Sequence, residues 1–185
     1  MAAIFPFDEL NAFKTRLSSH FVNGRIKSTD DVEDIIDELL DLYLLALAKG
    51  IRTVNEQFGT DFQMTSLETE QIIYQKIDGA TWEDRIRTWY EADGTEADIV
   101  RIAETETHRI GNTAAYETAV KAGAKTKRWE CMMLPTSRDT HTYLNGTTVG
   151  IEDEFYTFAG NHAMFPGQFG VAEEDVNCLC ELSFQ

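Results

Sequence analysis

Three cysteines and four histidines are the residues of this chain whose chemistry reaches beyond packing. Cys178-Leu179-Cys180 brings two thiols together only where the backbone bends, and a tetrahedral zinc would need two further nitrogen or sulfur donors from elsewhere in the fold. Cys131, His108, His141 and His162 are the available donors. C-x-C is not one of the common paired zinc spacings, so spacing alone leaves metal ligation and plain burial both open. Nucleophilic hydrolysis, with Cys131 or Cys178 attacking and His141 or His162 as base, has no local support. The chain holds no G-x-S-x-G elbow, H-E-x-x-H helix, Walker loop or G-x-G-x-x-G turn. Phe165-Pro166-Gly167-Gln168-Phe169-Gly170 is glycine-rich but lacks the lysine and strand-to-helix setting of a phosphate cradle, and reads as a turn. Glu106 and Arg109 stand three apart in a helical pattern. They read either as a surface ion pair or as an inward carboxylate that binds loop N–H groups of the C-terminal region.

The elements that must position these groups fall into two regions. From Phe7 to Leu134 there is no proline, and apolar residues recur at helical spacing. Thr65-Ser66-Leu67-Glu68 and Thr81-Trp82-Glu83-Asp84 have the hydroxyl-x-x-acid form that caps a helix's first turn. Ser28 opens a helix with Val32, Ile35, Ile36, Leu39, Leu40 and Tyr43 on one face and Asp34, Asp37, Glu38 and Asp41 on the other; it runs to Lys49, or through Gly50 to Phe58. Thr95 opens the last and longest helix, which stops at Gly123 and carries Gly111 where another backbone could pack close. The run Leu42 to Ala48 is apolar on every side of a helix, so burial on all sides is expected, with docking of a second protein as the functional alternative. From about Lys125 onward, glycine and proline become frequent and short strands with long loops are expected.

The chain's 185 residues fit one domain, and with 43% hydrophobic residues they can bury a core. Sixteen basic against 32 acidic residues leave a net charge of −16. Such a surface repels phosphate backbones, and no basic patch is visible, so direct DNA binding is not expected. No apolar run is long enough to cross a bilayer. The N-terminus lacks the basic flank and apolar stretch of a signal peptide, so a cytoplasmic start with reduced thiols is expected.

The run Ala103 to Asn112, with Glu106, Arg109 and Asn112 in a T-E-x-x-R-x-x-N arrangement, resembles the helix that precedes the core of the Mu F-like phage head-morphogenesis (minor capsid) proteins. Trp129, then Arg138-x-x-His141-x-x-Leu144-Asn145-Gly146, Phe155, Phe165-Pro166-Gly167 and Asn177-Cys178-Leu179-Cys180 follow in that family's order. The likeness spans about residues 99–182. It implies a minor structural component of a tailed phage or prophage head, associated with the portal vertex and other capsid proteins. Such a protein is made in the host cytoplasm and then resides in the virion head. Relatives often carry a cysteine pair where Arg138 and His141 stand, which implies a zinc site here with His141, Cys178 and Cys180 as ligands and Cys131 or His162 as fourth donor. Without metal, His141 would instead hold the N-C-x-C loop by hydrogen bonds, with Asn177 as a turn residue and Trp129 and Phe155 as core aromatics. Some relatives continue into a toxin or nuclease domain; the sequence ends at Gln185, just past the signature, and no effector is expected.

The expectation is therefore an α+β protein: a bundle of about five helices over residues 1–124, and a module of short strands and long loops over 125–185. The expected role is structural and non-enzymatic, with a metal-dependent hydrolase or an ejected effector as the alternative.

Overall fold

The computed structural model describes residues 5–185; Met1–Ile4, part of the segment read for a signal peptide, lie outside the described residues. Five α-helices come first: α1 (Phe7–Leu17), α2 (Thr29–Phe58), α3 (Ser66–Ile73), α4 (Trp82–Glu91) and α5 (Glu96–Lys121). A two-stranded hairpin, β1 (Phe21–Val22) with β2 (Arg25–Ile26), sits between α1 and α2. Helices α2 to α5 start where their capping chemistry dictates. Thr65 and Glu68 form a reciprocal capping box at α3 and Thr81 with Asp84 another at α4, each satisfying two otherwise unpaired N–H groups. Ser28 accepts from Asp31 N at the start of α2.

α2 and α5 form the spine. They cross where Gly50 meets Gly111: a Cβ at Gly50 would lie 2.5 Å from Gly111 O and 3.1 Å from Ala115 N. Ala46, Ala114 and Ala115 flank this crossing, all buried. Small residues let the two backbones touch, and that contact carries α2 through Gly50 to Phe58 as one 30-residue helix.

The apolar run in α2 is only half covered. Leu42, Tyr43, Ala46 and Leu47 are buried against α5 and its neighbours, but Leu44 and Leu45 are 40% and 45% exposed and Ala48 faces solvent. The expected burial on all sides does not hold, because one helical layer covers only one face of α2.

The remaining elements are β3 (Thr126–Glu130), α6 (Asp139–Leu144), β4 (Thr148–Gly150), β5 (Phe155–Tyr156), β6 (His162–Ala163), α7 (Ala172–Asp175) and β7 (Glu181–Phe184). β3 is the centre of an antiparallel sheet with order β4-β3-β7, and Trp129 pairs with Leu182 in its register. β5 and β6 make a separate hairpin. The result is an α+β fold with a helical N-terminal part, as the grammar of the two regions implies. One core joins α1, α2, α4 and the first half of α5 through Phe13, Leu39, Tyr43, Trp82, Ile86 and Ile99. A second packs Trp129, Leu144, Phe155, Leu182 and Phe184 onto Val54 of α2 and Ala115 and Ala119 of α5. The spine helices thus supply the floor of the strand-rich module.

Candidate functional site

The buried cluster His141, Cys178 and Cys180 sits where α6 meets the entry to β7. Asn177 adopts a left-handed φ of +56°, which bends the chain so that both cysteines on either side of Leu179 turn inward. That bend is held from three directions. Thr105 of α5 accepts from Asn177 N, the Arg138 guanidinium donates to Val176 O, and Asn112 Nδ2 donates to Cys180 O at 3.0 Å. α5 therefore grips the loop through Thr105 and Asn112. Glu106 points inward too, but to a different end. It is fully buried and pairs with Arg109, at 2.8 Å, and with Arg85 of α4. Arg109 also donates to Ile72 O and Gln75 Oε1. Neither a surface ion pair nor a carboxylate bound to loop N–H groups describes this: two guanidinium groups within reach outcompete neutral amides for a buried carboxylate.

His141 Nδ1 lies 3.5 Å from Cys178 Sγ and 3.5 Å from Cys180 Sγ. Its other nitrogen, Nε2, is 3.2 Å from Glu174 Oε2, off the line of a hydrogen bond. Glu174 is 2% exposed and is anchored by Thr140 Oγ1 and Asn161 Nδ2. Trp129 packs edge-on against the imidazole and Phe169 stacks over it, at ring separations of 5.6 Å each. The buried Trp129 Nε1–H faces the Cys180 sulfur, which favours the Cys180 thiolate. The two thiols share protons unequally. A hydrogen bond from Cys180, with His141 beside it, pulls the Cys178 thiol well below its ordinary range, while Cys180 is pushed up by the same bond and by burial.

These residues fit a zinc ion. With Zn–S near 2.3 Å and Zn–N near 2.0–2.1 Å, a tetrahedral ion holds sulfur and nitrogen about 3.6 Å apart, matching the two observed separations. A carboxylate behind the imidazole is the usual support for a ligating histidine. The fourth side opens on a pocket lined by Cys131, Ser137 and Arg138. Cys131 is half-buried there, its sulfur 3.7 Å from Ser137 Oγ and outside the three-donor cluster. His162 is elsewhere, exposed and 3.1 Å from Glu154. His108 stacks on Phe5 in the helical core, where burial pushes its pKa down to about 3.

The rest of the motif is scaffold. Gly146, at φ +80°, donates its N–H to Trp129 O, and its positive φ is what favours glycine there. Phe155 meets Trp129 edge-on at 5.1 Å. The turn at Pro166 and Gly167 presses onto α5, where a Cβ at Gly167 would lie 3.2 Å from Arg109 Cα. Sequence reasoning missed Glu174 as the carboxylate behind His141. Its only signal was the acidic run Glu173-Glu174-Asp175 shortly before the cysteine loop, of which this one residue is fully turned inward.

A helical spine that floors an α+β module, with a thiol–imidazole cluster between the module's last loop and α6, defines a small α+β domain in which three donors lie close enough to hold a metal ion. Residues 63–183 match the phage Mu protein F-like family, and the chain belongs to that family. Two curated relatives align with it. The minor head protein GP7 of Bacillus phage SPP1 is 31% identical over 85 residues, 44% of this chain and 28% of that protein. The NAD(+)–arginine ADP-ribosyltransferase EFV of Enterococcus faecalis (strain ATCC 700802 / V583) is 35% identical over 118 residues, 60% of this chain and 24% of that protein. The chain thus spans about a quarter of the length of these relatives. No solved structure matches.

Proposed function

We propose that the protein is a minor head protein of a tailed phage or prophage. It acts in head morphogenesis beside the portal, and its His141–Cys178–Cys180 cluster holds a structural zinc ion. The observation that carries the first part is the family match over residues 63–183, together with the minor head protein among the relatives. That match contains the whole cluster and the α5 residues that grip it. The second part rests on the 3.5 Å sulfur–nitrogen spacings and the buried Glu174 behind the imidazole. A bound ion would fix the loop before β7 to α6, so the sheet edge and α5 become one rigid surface for docking on other capsid proteins.

Quantitative mass spectrometry of purified particles tests the role: a small, reproducible copy number per head is expected. Complete absence from particles, with the chain abundant in lysate, would remove the virion assignment. Elemental analysis of the purified chain tests the metal, with about one zinc per chain expected and most of it lost in His141→Ala or Cys180→Ser. A chain free of zinc whose melting temperature ignores chelators would leave the cluster as a hydrogen-bonded core.

The open fourth side of the cluster favours one second reading, a metal-dependent hydrolase or ejected effector carried in the particle. Cys131→Ser separates the two. Loss of zinc affinity marks a closed structural site, whereas unchanged affinity with solvent at the fourth position marks an open one.

A further inference from the structure

We propose that the outer face of the β5–β6 hairpin, together with Tyr143 of α6, docks an arginine- and lysine-bearing segment of another protein. β5 and the turn after it alternate. Phe155 and Thr157 turn into the module, while Tyr156 and Phe158 point out, 60% and 63% exposed. Tyr143, 61% exposed, meets the Phe158 ring edge-on at 5.6 Å, so the helix and the hairpin present one aromatic ridge. Tyr156 stacks on His162 at 5.4 Å and donates its hydroxyl hydrogen to Glu154 Oε2, whose carboxylate also faces His162 Nδ1. Glu152 and Asp153, both exposed, precede β5 in the chain and add to its negative charge.

Charge decides the occupant. From Asp139 to Gln185 the chain has no lysine or arginine and eight acidic side chains. Lys127 of β3 is buried under Phe155 and felt by Asp153 and Glu154, so the exposed rings of Tyr156, Phe158 and Tyr143 have no lysine or arginine of this stretch over them. Aromatic faces beside carboxylates attract guanidinium and ammonium groups, by cation–π contact and by ion pairing. A nucleic acid would be repelled, and a second copy would bring the same acidic side chains against itself. The ridge is also preorganised. The turn is closed by Thr157 N to Asn161 O at 2.8 Å and by Gly160 at φ +90°, and Asn161 is tied to Glu174. No side chain of the ridge is a donor of the thiol–imidazole cluster.

The test uses the full-length chain, isotopically labelled, titrated with a ten-residue peptide of alternating arginine and glycine and with its citrulline counterpart. The arginine peptide should shift resonances of residues 154–162 and of Tyr143, and the citrulline peptide should not. The triple variant Tyr143→Ser, Tyr156→Ser, Phe158→Ser leaves net charge unchanged and removes only exposed rings; it should weaken binding about tenfold or more. Glu152→Gln with Glu154→Gln provides an independent loss through charge. Wild-type affinity in the ring variant, or a shift map centred on the acidic face of α2, would reduce the effect to general charge attraction and overturn the proposal. Tighter binding of a single-stranded 20-mer DNA than of the peptide would overturn it as well.

Discussion

Lys127 of β3 is fully buried, with its Nζ 4.8 Å from the centre of the Tyr116 ring and 5.6 Å from that of Phe155. Among the described residues it forms no ion pair, and its Nζ contacts the Met164 sulfur at 3.9 Å. Burial pulls its pKa from 10.5 down to about 8, partly opposed by Asp153 and Glu154. A lowered lysine pKa means that the unfolded chain binds the proton more tightly between about 8 and 10.5. The folded state is therefore penalised below this window, and stability should rise as pH climbs through it. Urea unfolding at pH 7, 8, 9 and 10 should give midpoints that increase, with the lowered Cys178 thiol adding a rise of the same sign below about 9. Lys127→Met should flatten that slope and raise the midpoint at pH 7, since it fills the same space without a charge to desolvate. A flat wild-type profile would mean that the two rings compensate the ammonium fully. Glu106 and Arg109 show what residue-level reading can reach. The 103–112 pattern drew attention to both, but their partner Arg85 lies 21 positions away from Glu106 on another helix, and no local spacing encodes that.

Helix starts were legible because capping is local: Thr65, Thr81 and Thr95 each bond within three residues of themselves. The role of Gly111 was half legible, since a glycine inside a strong helix implies a close neighbour, but only the fold identifies that neighbour as Gly50. The exposed side of the Leu42–Ala48 run was illegible in principle, because a segment apolar at every angle carries no phase. His141 and the two cysteines are 37 and 39 positions apart, and their meeting depends on the α6 and β7 placements that the second core sets. The α2–α5 crossing makes a prediction at this scale. Gly50→Ala puts a methyl group 2.5 Å from the Gly111 carbonyl, so one helix must shift. Overpacking of this kind costs about 1–3 kcal/mol, which lowers the melting temperature by roughly 2–4 °C per kcal/mol in a chain of this size. Both cores touch the spine, so the loss should appear as one cooperative shift in helical and in tryptophan signals together. An unchanged melting temperature would show that the two backbones have slack where they cross.

At the scale of the whole molecule, part of the net charge of −16 lies on the outer face of α2. Asp34, Asp37 and Asp41 lie on the solvent face of α2, and the same stripe continues into Leu44, Leu45 and Ala48. An acidic half followed by an uncovered apolar half suits a basic, partly apolar partner, because long-range attraction would orient it and leucine burial would hold it. None of the three aspartates forms an ion pair among the described residues, so Asp34→Lys with Asp37→Lys and Asp41→Lys should leave circular dichroism and melting temperature nearly unchanged. If α2 docks in assembly, complementation with this triple variant should lower the yield of filled heads at least tenfold, the size of a 1.4 kcal/mol loss in binding. Leu44→Ser with Leu45→Ser removes the apolar half without touching charge. If both halves face one partner, the leucine variant should weaken retention in purified heads while early association survives at low salt, whereas charge reversal should slow association first. Full yield from both variants would move the docking surface off α2 and leave the strand-rich module to make the contact.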